Sequence, residues 1–233
     1  YSPRMYIHRK ALLEGDFLFI VFDLHFHNSG GKIMRKVLIV VLLSMVLFTT
    51  GLFAVVSGDP VVEGQLPFLL TNAGQGPGGK MARLLIWQSG AIEDTDFDYN
   101  AEPLKENPND LTAREYKMLF VIIGSSAKGL GASGITIDEE IVRLNKMIEE
   151  AKRLNMFIIA AHIEGKARRG NPGSADERSI DAIAPYADYL IVMKEGNLDG
   201  KFTRIAEEKD IPLTLIDNTI DFMQVIKLMF PAE

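Results

Sequence analysis

The stretch "KMLFVIIGSSAKGLGASGIT", residues 117–136, decides the fold class. Residues 118–123 form a continuous apolar run, which is typical of a strand buried on both faces of a parallel sheet. A glycine-rich segment follows, and Thr136 with Glu139 then makes the capping pattern that begins many helices. A buried strand, a loop and a helix in this order indicate a parallel α/β sheet.

Four further apolar runs continue this alternation with helical segments along the chain. They are residues 66–72 ("LPFLLTN"), 156–165 ("MFIIAAHIEG"), 188–196 ("DYLIVMKEG") and 211–217 ("IPLTLID"). Phe97 and Tyr99 indicate a weak additional strand in an acidic segment. We therefore predict a single doubly wound α/β domain, Rossmann-like or flavodoxin-like. Its sheet is expected to be mostly parallel and five- to six-stranded, with helices on both faces.

An apolar segment near the N-terminus has the features of an export signal. A basic pair at residues 35–36 precedes a nearly unbroken apolar run of 17 residues, Val37–Phe53. Small residues then allow cleavage after Ala54 or after Ser57. An uncleaved membrane anchor is the alternative, although the run is close to the lower length limit for a membrane span.

The residues before this segment do not resemble the start of a protein. Residues 1–33 begin with Tyr1, and Ser29–Gly31 can be encoded by a bacterial ribosome-binding sequence placed just before Met34. We predict that 1–33 is translated upstream DNA or an unstructured extension. Residues 34–57 are then the signal peptide or N-terminal anchor, and 58–233 are the α/β domain. N-terminal sequencing of the exported chain tests this division.

Composition limits the partners of this domain. Of the 25 basic and 31 acidic residues, six and three lie in residues 1–57, which leaves 19 and 28 and a net charge of −9 for 58–233. Such a surface repels nucleic acid. The absence of cysteine excludes disulfides, thiolate metal sites and cysteine nucleophiles. We predict no metal, no cofactor and no nucleic-acid partner, and membrane contact through the signal segment alone if it stays uncleaved. The location is then the periplasm, the cell envelope or the exterior.

The residues that follow the predicted strands are candidates for a binding site. Ligands of open parallel sheets bind beyond the carboxyl ends of the strands. Asn72 and Gln75 follow the first strand, and the glycine-rich segment 124–136 follows the central one. His162, Arg168 and Arg169 follow the next strand. We predict a ligand site at this edge.

The glycine-rich segment suggests that the ligand is a small anion. Glycines let the backbone turn and approach a ligand closely, while serine hydroxyls and a lysine offer hydrogen bonds and positive charge. The arginine pair on the neighbouring loop can clamp a carboxylate or phosphate. The predicted ligand contacts are Asn72, Gln75, Gly124, Ser125, Ser126, Lys128, Gly129, His162, Arg168 and Arg169. A solvent-facing turn with unrelated basic residues is the alternative.

A partial P-loop follows the first predicted strand. Gly74–Lys80 matches the first seven positions of the motif, but Met81 stands where a magnesium-binding Ser or Thr is required. Pro77 also removes one backbone N–H from the loop. The segment therefore predicts a tight turn rather than a nucleotide site.

His162 is the single histidine of residues 58–233 and is the candidate catalytic residue. It can act as a general base, oriented by Glu164 or Asp217, with Ser125 or Ser126 as the nucleophile. No G-x-S-x-G elbow supports this role. A structural or ligand-contacting histidine is the alternative.

Two other features have simpler interpretations. Trp87 and the neighbouring leucines are predicted to lie in the core. Asp94, Asp96 and Asp98 can bind calcium, but the segment lacks the glycine and distal glutamate of an EF-hand loop, which favours a solvated face.

Several segments resemble a known protein family. "TNAGQ" (71–75), "GSSAKGLGASGI" (124–135), "AHIEGKARRG" (161–170) and "ADYLIVMKEGNLDGKFTRIAEEKDIPLT" (187–214) resemble exported bacterial proteins grouped as domain of unknown function 6305. The resemblance covers residues 64–230. It implies an exported single α/β domain and supplies no activity or site. The predicted function is therefore binding of a small anionic ligand, with a hydrolase-like enzyme using His162 or an envelope interaction module of unknown partner as alternatives.

Overall fold

The computed structural model describes residues 56–231, so the predictions for residues 1–55 lie outside the described residues. Within this range seven strands form one sheet. They are β1 (Val56–Gly58), β2 (Phe68–Ala73), β3 (Phe97–Tyr99), β4 (Met118–Ile123), β5 (Phe157–His162), β6 (Tyr189–Met193) and β7 (Leu213–Ile216). Their spatial order is β1-β7-β6-β5-β4-β2-β3. β1 is antiparallel to β7 and all other neighbours are parallel.

Six α-helices connect these strands. They are α1 (Gly78–Ser89), α2 (Ala127–Ala132), α3 (Ile137–Arg153), α4 (Ala175–Ile183), α5 (Lys201–Lys209) and α6 (Phe222–Met229). Short 3-10 turns follow the carboxyl ends of β5, β6 and β7, at Gly165–Arg168, Lys194–Asn197 and Thr219–Asp221. The mixed α/β class and the mostly parallel sheet are as the sequence predicts.

The central strands are buried on both faces because helices cover both sides of the sheet. Along β4, Leu119, Val121 and Ile123 belong to the core cluster that also contains the apolar residues of α3, α4 and α5. The alternate residues Met118, Phe120 and Ile122 belong to the cluster that contains α1 and α6. This division explains why β4 is apolar at every position rather than at every second one.

Two stretches of the sequence have the spacing of a capping box, Thr136 with Glu139 and Ser174 with Glu177, and they differ in the structure. At Thr136 the box is complete, because the hydroxyl accepts from the Glu139 N–H at 3.2 Å and the Glu139 carboxylate accepts from the Thr136 N–H at 2.7 Å. At Ser174 the hydroxyl accepts from the Glu177 N–H at 3.4 Å. The Glu177 carboxylate instead binds Arg169 and other donors. The ion pair of Glu177 with Arg169 thus takes the place of the second hydrogen bond of the capping box, from the Ser174 N–H to Glu177.

The sheet has one strand more than the upper limit of the prediction. The additional strand is β1, which pairs Val56 with Ile216 and Gly58 with Thr214. It was missed because it is three residues long and lies across the predicted boundary between leader and domain. Cleavage after Ala54 would keep β1, whereas cleavage after Ser57 would remove two of its three residues.

Two further expectations need correction. The segment after β4 is not a loop throughout, because Ala127–Ala132 forms α2 with Ser126 as its N-cap. The prediction that Trp87 lies in the core is wrong, since its side chain is 61% exposed on the outer face of α1. Leu84 beside it is also exposed, while Leu85 is buried. The helical period therefore turns Trp87 to solvent although its neighbour in sequence faces the sheet.

Within residues 56–231, the structure contains no helix with the length and apolar character that crossing a membrane requires.

Candidate functional site

The carboxyl ends of β2 and β4 meet at the point where the chain changes direction across the sheet. From β2 the chain goes to β3 at one side, and from β4 it goes to β5 at the other. Ligands of open α/β sheets commonly bind at such a switch point. Backbone pairing continues past both strands, because Gly76 N–H donates to Gly124 at 2.9 Å and Ser126 N–H donates to Gly74 at 2.9 Å. The two connecting segments therefore lie side by side.

A buried ion pair on α3 holds this region in place. Arg143 donates from Nε and Nη2 to the two oxygens of Glu140, both at 2.8 Å, and both side chains are almost fully buried. The same arginine donates to the carbonyls of Asn72 and Pro103 at 3.0 and 3.1 Å. Glu140 also accepts from the Gly74 N–H at 2.9 Å. The first turn of α3 thereby fixes the end of β2.

Asn72 and Gln75 lie at this edge, as predicted, but both side chains are buried. Asn72 Nδ2 donates to the Tyr99 hydroxyl at 3.2 Å, and Gln75 Nε2 lies 3.3–3.4 Å from both Glu140 oxygens. Burial raises the pKa of Tyr99, while the hydrogen bond from Asn72 and the charge of Arg83 oppose that rise. The amides thus bind other protein groups, and their ligand contacts stay predictions.

The two serines after β4 have different roles. Ser126 Oγ accepts from the Gly129 N–H at 3.1 Å and caps α2. Ser125 is buried, and its N–H donates to Asp176 at 2.9 Å. Burial raises the pKa of this aspartate, although the Ser125 N–H and Arg168 act in the opposite direction. A free nucleophilic hydroxyl at Ser126 is therefore unsupported, because that oxygen is engaged as a cap.

Arg168 lies over the β4 segment and is paired with Glu164. Its Nε donates to Glu164 at 2.9 Å and its Nη1 donates to the Ser125 carbonyl at 2.9 Å. With the described residues it uses two of the five guanidinium N–H groups, and its side chain is 24% exposed. Arg168 can therefore still donate to a ligand at this edge.

Arg169, in contrast, has all five N–H groups engaged. Nε and Nη2 donate to Glu177 at 2.7 and 3.2 Å, and Nη1 and Nη2 donate to Asp199 at 3.0 and 2.7 Å. Nη1 also donates to the carbonyl of Gly196. Its guanidinium carbon lies 5.7 Å from the Phe202 ring centre. Arg169 ties the end of β5 to α4 and α5, and its predicted anion contact stays untested.

This network lowers the pKa values of two carboxylates. Burial alone would raise the pKa of Glu177, but hydrogen bonds from Arg169, Lys201 and Gly170 lower it to about 2. The hydrogen bonds from Arg169 hold the pKa of Asp199 well below its usual range, despite some burial. Both groups are therefore charged at neutral pH and neutralise Arg169.

His162 lies inside the protein rather than in an open cleft. The residue is fully buried, its Nε2 donates to the Arg168 carbonyl at 3.1 Å, and its ring packs 5.1 Å from Phe202. Burial lowers its pKa to about 4, and the charge of Arg169 adds to this effect. In the described part of the chain it makes no hydrogen bond to either serine. The neutral ring packs like a structural histidine, and its catalytic role stays a prediction.

The two carboxylates proposed to orient His162 have other partners. Glu164 pairs with Arg168, and Asp217 pairs with Lys194 at 2.5 Å. The arrangement of hydroxyl, imidazole and carboxylate that a hydrolase requires is therefore not assembled among these residues.

Buried polar atoms without a hydrogen-bond partner concentrate at this edge. Among residues 56–231 they are Thr71 Oγ1, Asn72 Oδ1, Ser125 Oγ, His162 Nδ1 and Glu164 Oε1. All five belong to β2, β4 or β5 or to the residues directly after them. Buried polar groups normally have partners, so this edge of the sheet holds hydrogen-bonding groups that the described protein residues do not use.

Two of these acceptors, Asn72 Oδ1 and Glu164 Oε1, lie against the first turn of α1, where the partial P-loop would hold a phosphate. A Cβ atom placed on Gly79 would lie 1.8 Å from Asn72 Oδ1, and one on Gly78 would lie 2.7 Å from Glu164 Oε1. Side-chain oxygens therefore take up the space beside these glycines in which a P-loop would cradle a nucleotide phosphate, so the loop does not form a P-loop. Lys80, which is exposed, lies outside that space.

Three lysines stand at the same edge, one after each of β2, β4 and β5. Lys80 lies in the first turn of α1, Lys128 in α2 and Lys166 in the 3-10 turn Gly165–Arg168. All three are exposed, and in the part of the chain that the structure describes none forms an ion pair. The predicted ligand contacts include Lys128 but neither Lys80, which the sequence analysis placed in the partial P-loop, nor Lys166, although all three follow predicted strands.

Two surface hollows lie at the opposite, amino-terminal edge of the sheet. One of about 410 Å³ is lined by Asp59, Pro60, Val62, Ala206, Glu207, Asp210, Ile211 and Pro212. The other, of about 380 Å³, is lined by Gln65, Lys117, Lys152, Asn155, Met156, Phe157 and Asp188. No group of three His, Asp or Glu side chains suited to a metal ion occurs among the described residues.

The fold and this edge define an α/β domain with a mostly parallel sheet and a polar, lysine-bearing switch region. The chain belongs to the family described as Domain of unknown function (DUF6305), whose sequence profile matches residues 65–230. No curated protein and no solved structure matches the chain.

Proposed function

We propose that this chain is an exported binding domain that holds a small carboxylate or phosphate anion at the carboxyl-terminal edge of its sheet. The observation that carries the proposal is the set of three exposed lysines after β2, β4 and β5, residues 80, 128 and 166, which form no ion pair with any residue between 56 and 231. Arg168, with N–H groups still unengaged, lies in the same region.

Lys80 and Lys128 lie in the first turn of α1 and α2, where a positive charge is unfavourable for the helix. A cation in the first turn of a helix opposes the helix dipole by about 0.3–1 kcal/mol, and acidic residues are preferred there. α1 and α2 nevertheless have a lysine and no acidic residue in their first turn. α3, which does not open directly from a strand, has Asp138, Glu139 and Glu140 instead. α5 likewise begins with a lysine and has no acidic residue in its first turn, but Lys201 there pairs with Glu177 and Asp181. A bound anion would supply the corresponding negative charge to Lys80 and Lys128, which supports the proposal.

The contribution of the other predicted contacts differs from the sequence-based expectation. Arg169 and Ser126 are engaged with other protein groups, so the proposal relies on the three lysines and Arg168. Gly124 and Gly129 lie where side chains would collide with Glu164 and with Gln75, respectively. These glycines therefore have a packing role that is independent of any ligand.

Inorganic phosphate provides a direct test by thermal unfolding at constant ionic strength. Phosphate at 100 times its Kd should stabilise the folded protein by about 2.7 kcal/mol, which raises Tm by several degrees. We expect the triple variant Lys80→Gln, Lys128→Gln and Lys166→Gln to lose this rise, because the anion then has one cation left near it.

A matched variant separates the site from net charge. Lys117, Lys146 and Lys209 are also exposed and without ion pairs among the described residues, and they lie away from this edge. Changing these three to Gln removes the same charge and should preserve the phosphate effect. An equal response in both triple variants, or no response of the wild type to phosphate, citrate or acetate, would contradict the proposal.

Export is supported by the basic pair and the apolar run before the domain. Because β1 begins at Val56 and pairs with β7, we expect cleavage after Ala54 rather than after Ser57. N-terminal sequencing of the processed protein should give Val55 as its first residue. A chain beginning at Gly58 would show that β1 is not part of the mature domain.

A further inference from the structure

A carboxylate lies buried against the start of α1. It belongs to Glu164, which follows β5 and whose side chain is 8% exposed. Oε2 accepts from Arg168 Nε at 2.9 Å, whereas Oε1 is buried and has no hydrogen-bond partner among residues 56–231. A charged oxygen that is buried without a donor is unfavourable, so packing alone does not account for its position.

Three glycines provide the space that this oxygen occupies. A Cβ atom on Gly78, Gly124 or Gly76 would lie 2.7, 2.9 or 3.3 Å from the Oε1 atom of residue 164. Two of these glycines follow β2 and the third follows β4, so the space lies at the switch point between the two strands. We call this space, bounded by Gly76, Gly78 and Gly124, the glycine chamber.

The donors beside the glycine chamber suit an anion. α1 begins at Gly78, and the first N–H groups of a helix have no partner within the helix and carry partial positive charge. No side chain caps α1, and its first turn contains no acidic residue. The group that the protein itself places beside these donors is a carboxylate, which indicates the kind of ligand that the chamber can hold.

Arg168 is a cation that can pass from Glu164 to a ligand. Nε donates to Glu164 and Nη1 donates to the Ser125 carbonyl, so three of the five N–H groups are unengaged by the described residues. The arginine side chain is 24% exposed and that of Glu164 is 8% exposed, which places the arginine on the solvent side of the pair. A carboxylate that enters from solvent therefore reaches Arg168 first.

The net charge of this edge does not favour an anion, so recognition depends on local donors. Asp176 accepts from the Ser125 N–H at 2.9 Å, and Glu195 is exposed beside Gly165. The first turn of α3 contains three further acidic residues. Against these charges, an anion gains from Arg168 and from the first N–H groups of α1, which act at hydrogen-bond distance.

We propose that the glycine chamber is a binding site for the carboxylate of a small ligand, and that Glu164 occupies this site until the ligand displaces it. The inference rests on the proposed anion site and names its ligand class. A ligand carboxylate has the planar shape of the group that already fits between the three glycines, whereas a phosphate has more oxygens to accommodate. Displacement turns Glu164 toward solvent and leaves Arg168 paired with the ligand. Glu164 thereby limits the affinity, because the ligand has to compete with it.

Removal of Glu164 tests this displacement by chemical rescue. Thermal unfolding of the Glu164→Ala variant is followed as sodium acetate replaces sodium chloride at constant ionic strength. Acetate then fills the emptied chamber, so it should raise Tm more in this variant than in the wild type. If Glu164 leaves the chamber free in at most about one tenth of the molecules, its removal should lower the apparent Kd for acetate about tenfold or more.

Three control variants assign this gain to the chamber. Glu164→Gln removes the charge but keeps a side chain in the chamber, and Glu195→Gln removes a charge at the same edge outside it. Both should change the response to acetate much less than Glu164→Ala does. Combining Glu164→Ala with Gly124→Ala puts a methyl group into the emptied chamber, where its nearest neighbour is Arg168 Cγ at 3.1 Å, and should abolish the gain.

The outcomes separate failure of this inference from failure of the anion site. An equal gain in Glu164→Ala and the two glutamine variants, a gain that persists with Gly124→Ala, or no gain at all overturns the inference. A Glu164→Ala chain that remains unfolded in acetate overturns it as well. In each case the anion site stands if the wild type has a phosphate response that the triple lysine variant loses. No wild-type response to phosphate, citrate or acetate, together with no acetate gain in Glu164→Ala, overturns both proposals.

Discussion

Arg143→Met should destabilise the protein by about 3–5 kcal/mol, the cost typical of leaving one partner of a buried ion pair uncompensated. The substitution leaves the carboxylate of Glu140 buried without its guanidinium, and it removes the donors to the Asn72 and Pro103 carbonyls. Small domains have a free energy of unfolding of about 5–15 kcal/mol, so the loss is a large fraction of the total. Urea unfolding monitored by circular dichroism measures it.

The same helix contains a matched control. Arg153 and Glu150 form an ion pair with the same spacing and with hydrogen bonds of 2.6 and 2.8 Å, but the arginine side chain is 64% exposed. Because solvent screens this pair, Arg153→Met should shift the urea midpoint very little. A loss of stability for Arg143→Met no larger than that for Arg153→Met would show that burial does not decide the contribution.

Removing both buried charges should restore part of the loss. In the Glu140→Gln, Arg143→Met variant the remaining amide can still accept from the Gly74 N–H, and no isolated charge is left in the interior. We therefore expect the double variant to be more stable than Arg143→Met alone. Such a result would mean that the Glu140–Arg143 pair positions the end of β2 and adds little net stability.

The sequence predicts the sheet well because its strands are buried on both faces. Continuous apolar runs such as that of β4 can hardly be accommodated elsewhere, and the Thr136 box marks the start of α3 through purely local contacts. β1 could not be predicted in the same way. It is three residues long and depends on pairing with a strand about 160 residues later in the chain, which no local pattern records.

The site was predicted less completely because charge pairing depends on tertiary contacts. Glu140 and Arg143 have the spacing of an ordinary exposed pair, and Arg168 and Arg169 are adjacent and chemically identical. In the structure the first pair is buried, and the two arginines differ in how many N–H groups remain unengaged. Topology places these residues at one edge, but the partners of each side chain are set by neighbours distant in sequence.

Gly129→Ala should be the most damaging glycine substitution in the segment after β4. A Cβ atom at this position would lie 1.9 Å from the Gln75 carbonyl oxygen and 2.9 Å from the carbonyl carbon. The obstacle is backbone held beside the β4 segment, so it cannot rotate away as a side chain could. Overpacking in protein interiors typically costs 1–3 kcal/mol, and for this rigid contact we expect about 3 kcal/mol or more. Thermal and urea unfolding measure the loss.

Gly131→Ala, two residues later on α2, should have the opposite sign. A Cβ atom there would have no neighbour within 4 Å, and replacing a helical glycine by alanine typically stabilises by about 0.5–1 kcal/mol. The sequence-based interpretation gave both glycines the same role, close approach of a ligand. If that role were correct for Gly129, its alanine variant would fold normally and lose the phosphate response. The packing explanation makes the opposite prediction, because α2 can approach the Gln75 carbonyl this closely only if residue 129 has no Cβ atom. A Gly129→Ala variant with unchanged stability would therefore refute the packing explanation.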